Sequence, residues 1–425
     1  MFSCKLDYKI IERRVIVTLL GKEAQNKHSK GNALAIGKEA REAKALNKYV
    51  IDSTIGMLFD EEGEFFTFKT VEEASAKLSA KEKYSYGSTA GDSDFHDALY
   101  DWIFREDARE FKETLNLRCI ATPGGSGAIC NTFSNYLSKG DKVLLPSLMW
   151  TNYIQIAQEE GLGYDTYELF DNNNKFNNKS FEENCLSLKR SQGRVLVVIN
   201  DPCQNPTGYT MTYEEWIGVI DTLNTISRDG TPVVLLYDMA YIDYDIRGFE
   251  SSRRIIRMFK NLNENVLTIL AFSGSKTLGL YGLRVGAQIC LTKSKDNAND
   301  FVRANDFSAR GMWSGTSTLG QNIIKYIFKN HKSEFEEELE YARKLLIDRA
   351  NTFKVEAMKY NLKHYPYVCG FFVTIPCENP QEVFNQLKEK GLYVLPLARA
   401  IRLTLSSITL DEVRRSVKLI SEIIN

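Results

Sequence analysis

One stretch decides the fold of this chain: Ser273-Gly274-Ser275-Lys276-Thr277-Leu278-Gly279-Leu280-Tyr281-Gly282-Leu283-Arg284-Val285-Gly286. It joins two apolar runs, residues 266–272 and 286–291, which have the length and composition of buried β-strands. Lys276 therefore follows directly after a buried strand and lies between small hydroxyl residues. An amine removed from water is a good nucleophile toward carbonyl groups, whereas most loop lysines are simply solvated at the surface.

Further apolar runs precede this stretch and alternate with helical patterns. Strands are predicted at residues 142–145, 195–199 and 233–237 as well, with helices at 152–161 and 212–224. In the second helix Thr212 and Glu215 have the spacing of a capping box. Strands that alternate with helices predict an α/β fold with a mostly parallel sheet covered on both faces, and such sheets form their sites at the carboxyl ends of the strands.

The pattern changes after about residue 325. An amphipathic helix is predicted at 331–360, then strands at 370–375, 393–397 and 401–405, and a closing helix from Leu410. A further helix is predicted at about 31–46. We therefore expect a large α/β domain over residues 57–325 and a smaller α+β domain built from residues 1–56 and 326–425.

Composition excludes several classes of function. The 425 residues carry a net charge of −1, which argues against nucleic-acid or membrane-surface partners. The four histidines are far apart in sequence, so neither a metal site nor a histidine base is expected. The eight cysteines lack C-x-x-C spacing and no secretory signal is recognised, which predicts reduced thiols in a cytoplasmic protein. The apolar residues 15–20 are too few to span a membrane and indicate an edge strand or an N-terminal arm.

Four other segments carry polar residues where this architecture would place a site. Thr122-Pro123-Gly124-Gly125-Ser126-Gly127-Ala128 precedes a helical run and can form a phosphate-binding turn, although most glycine-rich turns bind nothing. Asn200-Asp201-Pro202-Cys203-Gln204-Asn205-Pro206-Thr207-Gly208 follows a buried strand and is either a plain connector or presents Asn205 to a ligand. Tyr237-Asp238-Met239-Ala240-Tyr241 and Ile401-Arg402-Leu403-Thr404-Leu405-Ser406 each place a charge at or in an apolar strand, where it needs a partner.

Taken together and in this order, these motifs resemble those of the class I aminotransferases, the fold-type I enzymes that use pyridoxal phosphate (PLP). The likeness is strongest to the aspartate and aromatic aminotransferase subgroup, and it extends from Ile55-Gly56 to Arg402. The Asn-Pro-Thr-Gly, Asp-x-Ala-Tyr and Ser-x-Ser-Lys…Arg-x-Gly motifs are highly specific in combination. The resemblance implies PLP as the cofactor and no metal.

The resemblance also implies roles at the cofactor. Lys276 matches the lysine that binds PLP covalently and then moves the substrate proton, and Asp238 matches the carboxylate paired with the pyridine nitrogen. Tyr241 and Asn205 match the pair that binds the phenolic oxygen. The remaining matches are Trp150 for the aromatic that stacks on the ring, although two extra residues precede it, and Gly125, Ser126, Ser273, Ser275, Arg284 and the partner subunit's Tyr86 for the phosphate site.

At the substrate end, Arg402 matches the arginine that clamps the α-carboxylate, and Arg399 is a competing candidate. Gly56 lies in a stretch that matches a segment closing over the substrate. Arg310 aligns with the arginine that reaches the side-chain carboxylate from a neighbouring subunit, although Trp313 and the residues after it depart from the usual run. A homodimer with shared sites is therefore implied.

These matches imply an enzyme that moves the amino group of an L-amino acid, first of all aspartate, to 2-oxoglutarate by a ping-pong mechanism. Three alternatives stay open. The first is an aromatic amino acid aminotransferase, for which Trp313 can provide an apolar wall. The second is a PLP-dependent lyase or decarboxylase on the same fold. The third, a non-enzymatic regulator, is disfavoured because such proteins carry a basic DNA-binding module that we do not recognise here.

Overall fold

The computed structural model describes residues 18–27 and 33–424. Residues 15–17 of the predicted N-terminal arm or edge strand lie outside the described residues, and residues 18–20 are not part of a strand. Within the described ranges, no helix combines the length and the apolar character needed to cross a membrane.

The strands are named in chain order. They are β1 (Ile51–Asp52), β2 (Asn116–Thr122), β3 (Lys142–Pro146), β4 (Gly163–Tyr167), β5 (Val195–Asn200), β6 (Val233–Asp238), β7 (Val266–Ser273), β8 (Gly286–Thr292), β9 (Phe372–Pro376), β10 (Leu392–Tyr393), β11 (Leu395–Pro396) and β12 (Ala400–Thr404).

The α-helices are named in the same way. They are α1 (Ala33–Leu46), α2 (Lys69–Lys77), α3 (Ala80–Tyr84), α4 (Ser93–Phe104), α5 (Ala108–Thr114), α6 (Gly124–Tyr136), α7 (Asn152–Glu159), α8 (Asn178–Gln192), α9 (Tyr213–Ser227), α10 (Phe249–Met258), α11 (Gly274–Thr277), α12 (Lys295–Met312), α13 (Thr318–Asn330), α14 (Lys332–Lys359), α15 (Pro380–Glu389) and α16 (Leu410–Ile424). Short 3-10 helices cover Lys22–Asn26, Arg105–Asp107, Ile242–Tyr244, Phe259–Asn261 and Leu405–Ser407.

A seven-stranded sheet forms the centre of the molecule, in the order β2-β8-β7-β6-β5-β3-β4. Strand β8 runs antiparallel to both of its neighbours, and the other pairs of adjacent strands are parallel. The predicted mostly parallel α/β sheet is therefore confirmed. Every residue of β5, β6, β7 and β8 is buried, as expected for strands covered by helices on both faces.

The sequence patterns missed the two edge strands of this sheet. In β4, exposed and half-buried positions alternate, so this strand has no continuous apolar run. The sequence of β2, Asn-Leu-Arg-Cys-Ile-Ala-Thr, likewise mixes polar and apolar residues. An edge strand can keep polar residues because one side of it faces no neighbouring strand, and a search for buried runs passes over it.

The chain after α13 forms a second layer of structure. Strands β11, β12 and β9 make an antiparallel sheet, and the long α14 packs against α16. The strand predicted at 393–397 is in fact two strands, because β10 pairs with β1 while β11 pairs with β12. The β1–β10 pairing joins the N-terminal part of the chain to its C-terminal part. The division into domains 57–325 and 1–56 plus 326–425 stays a prediction.

Candidate active site

The candidate site lies where β5, β6 and β7 end. Asn200 pairs with Asp238 in the register of β5 and β6, and β7 ends at Ser273, immediately before α11. Because these strands are parallel, their carboxyl ends meet at one edge of the sheet. The loops that the sequence singled out therefore converge.

Lys276 lies in the single turn of α11 and reaches toward the N-terminal segment. Its Nζ donates a hydrogen bond to the carbonyl oxygen of Gly56. Three aromatic rings surround the amine, with centroids 4.8 Å away for Tyr281, 5.2 Å for Phe371 and 5.7 Å for Tyr241. Gly56 has to be a glycine, since an added Cβ would lie 2.5 Å from the Phe372 ring.

The amine of Lys276 is poised to be neutral. Burial, and then the positive charges of Arg402 and Arg284, lower the pKa of Lys276 to about 7. Each of these causes disfavours the ammonium form. A substantial fraction of neutral amine at pH 7 can therefore attack a carbonyl carbon or accept a proton.

Asp238 ends β6 as a buried carboxylate. It accepts hydrogen bonds from the Tyr153 hydroxyl and from the backbone N–H of Ala240, the latter at 3.1 Å. No lysine, arginine or histidine of the described residues pairs with it. Burial raises the pKa of Asp238 to about 6, while the bonds from Tyr153 and Ala240 act in the opposite direction. The carboxylate thus lacks the cation that burial makes favourable.

Asn205 connects two of the predicted site residues. Its backbone N–H donates to the Asn200 side chain at 2.7 Å, which fixes the loop after β5. Its side-chain oxygen accepts from Arg402 Nη1 at 3.2 Å, and Asn205 also hydrogen-bonds the hydroxyl of Tyr241. The amide therefore bridges the end of β5, the turn after β6 and the strand β12.

A cradle lined by glycines, serines and Arg284 forms where α6 begins. Arg284 donates to Ser275 Oγ at 2.9 Å, and a Cβ added to Gly124 would lie 2.7 Å from its guanidinium. Gly124 has a φ of +71°, which favours glycine, and Gly125 faces Ser273 closely enough for a Cβ to touch it at 3.4 Å. Ser126 follows in the first turn of the helix, and Thr122 closes the start of the turn by donating to Gly124 O.

Arg402 enters the site from β12 and is only 6% exposed. Its Nη2 donates to Thr54 O at 2.7 Å, its guanidinium lies 4.1 Å from the Phe372 ring centroid, and its Nε has no hydrogen-bond partner among the described residues. Burial lowers the pKa of Arg402 to about 10. Arg399, the competing candidate, is exposed.

Trp150 is connected to Asp238 by Tyr153, which contacts both residues. Its ring meets that of Tyr153 edge-on at 5.3 Å between centroids, and the Tyr153 hydroxyl binds Asp238. Tyr153 and Tyr281 were not singled out in the sequence. Tyr153 had one signal, its position one helical turn after Trp150, but a tyrosine in a helix is usually a core residue.

Two predicted residues lie outside this cluster. Tyr86 is fully exposed, and Arg310 is an exposed residue near the end of α12 that donates to Ser314 Oγ at 2.6 Å. The structure therefore brings together the remaining predicted site residues, from Gly56 to Arg402, and leaves these two on the surface of the chain.

Comparison with known proteins identifies the class of protein that this fold and site define. The model of the family described as "Aminotransferase class I and II" matches residues 50–420. The chain belongs to this family of aminotransferases. Its cofactor is PLP, the cofactor of the family.

Individual relatives divide between two kinds of substrate. The mitochondrial aspartate aminotransferase of Dictyostelium discoideum is 24% identical over 338 residues, which are 79% of this chain and 75% of that protein. The aromatic-amino-acid aminotransferase of Escherichia coli is also 24% identical, over 361 residues, 82% and 87% of the two chains. The relatives therefore support the aminotransferase class and do not choose its substrate.

Two solved structures resemble the fold. An aminotransferase from Anaerococcus prevotii is 28% identical and superposes with a TM-score of 0.92 over 96% of this chain and 100% of that one. An aromatic-amino-acid aminotransferase from Burkholderia pseudomallei, solved with covalently bound PLP, is 19% identical with a TM-score of 0.78 over 96% and 100%.

Proposed function

We propose that this aminotransferase moves the amino group of L-aspartate to 2-oxoglutarate by a ping-pong mechanism, as a homodimer in the cytoplasm. One observation carries the proposal: the ionisable side chains of Lys276, Asp238 and Arg402 meet where β5, β6 and β7 end, and none of them has a counterion among the described residues. An amine, an anion and a cation in these positions complement a carbonyl group, a cationic ring and a substrate carboxylate.

The residues fit PLP part by part. Asp238, which lacks a cation, suits the protonated pyridine nitrogen, and the cradle of Gly125, Ser126, Ser273, Ser275 and Arg284 suits the phosphate. Tyr241 and Asn205 offer hydrogen bonds for the phenolic oxygen, and Trp150 offers a ring to stack on. When bound, PLP supplies the electron sink that stabilises the carbanion left by loss of the Cα proton.

The protein's own groups perform the rest of the reaction. Lys276 would hold the cofactor and, once its amine is released, would take the proton from the substrate Cα and pass it to the C4′ carbon of the cofactor. Its lowered pKa near 7 keeps a base available at neutral pH. Arg402 binds the α-carboxylate with the hydrogen-bonding capacity that its unpaired Nε leaves open, and so orients the Cα–H bond toward Lys276.

Substrate choice depends on the second subunit in this proposal. Tyr86 and Arg310 are exposed on the single chain, as expected for residues that reach the phosphate and the side-chain carboxylate in a partner's site. Exposed Tyr84 and Phe307 lie near them in sequence and add apolar surface for such contact. An aromatic donor is the second candidate, because Trp313 is half-buried and packs against the same apolar cluster as Trp150.

A panel of half-reactions tests the substrate. Arg310→Ala should lower kcat/KM for aspartate by about 100-fold, the effect of losing a charged hydrogen bond, and should change phenylalanine much less. Arg303→Ala is the matched control, because Arg303 is an exposed arginine of the same helix that pairs with Asp300. Equal losses for both substrates would contradict the role of Arg310. Release of ammonia and a 2-oxo acid in place of the pyridoxamine form would indicate a lyase.

A further inference from the structure

A buried ion pair lies next to α11, the helix that contains Lys276. Arg253 Nη2 and Asp243 Oδ1 are 2.6 Å apart, and each residue is only 1% exposed. Arg253 also donates to the carbonyl oxygens of Ile242 and Trp102, both at 3.4 Å. The chemistry described above gives neither residue of this pair a role.

The pair is connected to the helix that carries Lys276. Thr277 Oγ1 donates to Asp243 Oδ2 at 2.7 Å, and Tyr244, the residue after Asp243, donates from its hydroxyl to Lys276 O at 3.0 Å. Thr277 and Tyr244 are buried. Two adjacent residues thus fix the backbone around Lys276. Tyr244 binds the carbonyl oxygen of Lys276, and Asp243 binds the side chain of Thr277.

These two residues belong to the turn that carries other site residues. Asp243 and Tyr244 lie in the 3-10 helix Ile242–Tyr244, which starts right after Tyr241, and Asp238 ends the strand before it. The contacts therefore tie the end of β6 to the start of α11. They fix the position of Lys276 relative to Asp238 and Tyr241 through a short, buried connection.

We propose that Asp243, Arg253, Thr277 and Tyr244 form a clamp that positions Lys276 for proton transfer. Helix α11 has only four residues, too few to be stable without outside contacts. Proton transfer requires placement within about 0.5 Å, and a lysine side chain does not supply that rigidity. A buried ion pair contributes little net stability. The pair of Asp243 and Arg253 is therefore better explained by the fixed position it gives to Lys276 than by a contribution to stability.

The inference rests on the proposed role of Lys276 and is tested on the holoenzyme. Thr277→Val removes the hydroxyl link and keeps the shape of the side chain, and Thr277→Ser restores the link. Thr132→Val is the matched control: Thr132 is also fully buried and makes two hydrogen bonds, to Ala128 O and from Gln288. Tyr244→Phe removes the second link to Lys276 and gives an independent result if Thr277→Val does not fold.

We expect Thr277→Val to lower kcat by about tenfold with little change in KM, and to shift the pH midpoint of the visible cofactor band. Thr277→Ser should recover most of both, and Tyr244→Phe should act like Thr277→Val. If both link-removing variants lower only the Tm, as Thr132→Val is expected to do, the clamp is overturned while amino transfer stands. Absence of amino transfer in the wild type would instead overturn the proposed function.

Discussion

Arg349 and Arg402 are both buried cations, but their hydrogen-bonding and ion-pair partners differ. Arg349 of α14 is fully buried and pairs with Glu61 at 2.8 Å. It also donates to the carbonyl oxygens of Leu405 and Ser406, at 3.3 and 3.0 Å. Arg402, three residues before Leu405, is almost as deeply buried and has no carboxylate partner among the described residues.

The difference separates a structural charge from a functional one. Arg349 saturates its donors with an anion and carbonyl groups, so it can join the long helix to the segment after β12. Arg402 retains an unpaired Nε, and its neighbours are the neutral Asn205, Thr54 and the Phe372 ring. A buried cation without a counterion is unfavourable in the empty protein, and binding of an anion relieves that cost. The same reasoning separates the paired Asp243 from the unpaired Asp238.

The largest effect is expected for Lys276, whose half-buried amine pairs with no carboxylate among the described residues. Lys276→Ala should abolish the pH-sensitive visible band of the lysine-bound cofactor and lower each half-reaction by roughly 10⁴-fold, the upper range for an acid–base group. Lys189→Ala, at a lysine paired with Asp229, is the matched control and should retain both. A pH-sensitive visible band that survives in Lys276→Ala would refute the assignment.

Substitution of the two compared arginines should affect activity and stability in opposite ways. Arg402→Met should lower kcat/KM for every amino-acid and oxo-acid substrate by about 100-fold, because the carboxylate loses its charged partner, and should leave the Tm unchanged or raise it. Arg349→Met should lower the free energy of unfolding by about 2–3 kcal/mol, since the half-buried Glu61 and the carbonyl oxygens of Leu405 and Ser406 lose their donor, and should keep kcat/KM. Steady-state kinetics and thermal melts of both variants make the measurement. A melt for Arg402→Met as low as that for Arg349→Met, with kcat/KM intact, would contradict the distinction.

The sequence predicts the residues without counterions better than it predicts the ion-paired ones. The motifs around Lys276, Asp238 and Arg402 follow or lie in apolar strands, so their burial and convergence follow from strand ends alone. The sequence patterns did not predict the edge strands β2 and β4 because polar and apolar residues are mixed in both sequences, with no long apolar run. Partners such as Glu61 for Arg349 come from positions 288 residues apart, and no local pattern encodes such a pairing.

Side chains that act through another residue were also beyond the sequence. Tyr153 and Asp243 have no motif of their own, and their importance becomes visible only through the atoms they contact, Asp238 Oδ2 and Thr277 Oγ1. Arg310 and Tyr86 are a different case, because their proposed contacts lie in a second subunit. The residues that the sequence identified best are those that combine a chemical group with a fixed place at a strand end.

The smallest effect is a pH dependence of stability that follows from the same uncompensated charge. In cofactor-free protein the pKa of Lys276 is lowered to about 7, whereas in the unfolded chain it is about 10.4. Between these values unfolding takes up a proton, so the contribution of Lys276 to stability rises with pH through this window. Below pH 7 the amine is charged in both states, and its burial then destabilises the fold fully.

Lys276→Met should therefore stabilise cofactor-free protein, by a few degrees in Tm near pH 6 and progressively less toward pH 10. In Arg402→Met, which retains Lys276, the stability of the cofactor-free protein should depend less on pH in this window. Removing a nearby positive charge raises the pKa of Lys276 toward its ordinary value. Thermal unfolding of the wild type and of the two variants at pH 6, 8 and 10 measures the differences in Tm, and comparison with the wild type at each pH cancels the titration of the other groups. A stability gain for Lys276→Met that is the same at every pH would mean that Lys276 titrates normally, and its place among the uncompensated charges would be lost.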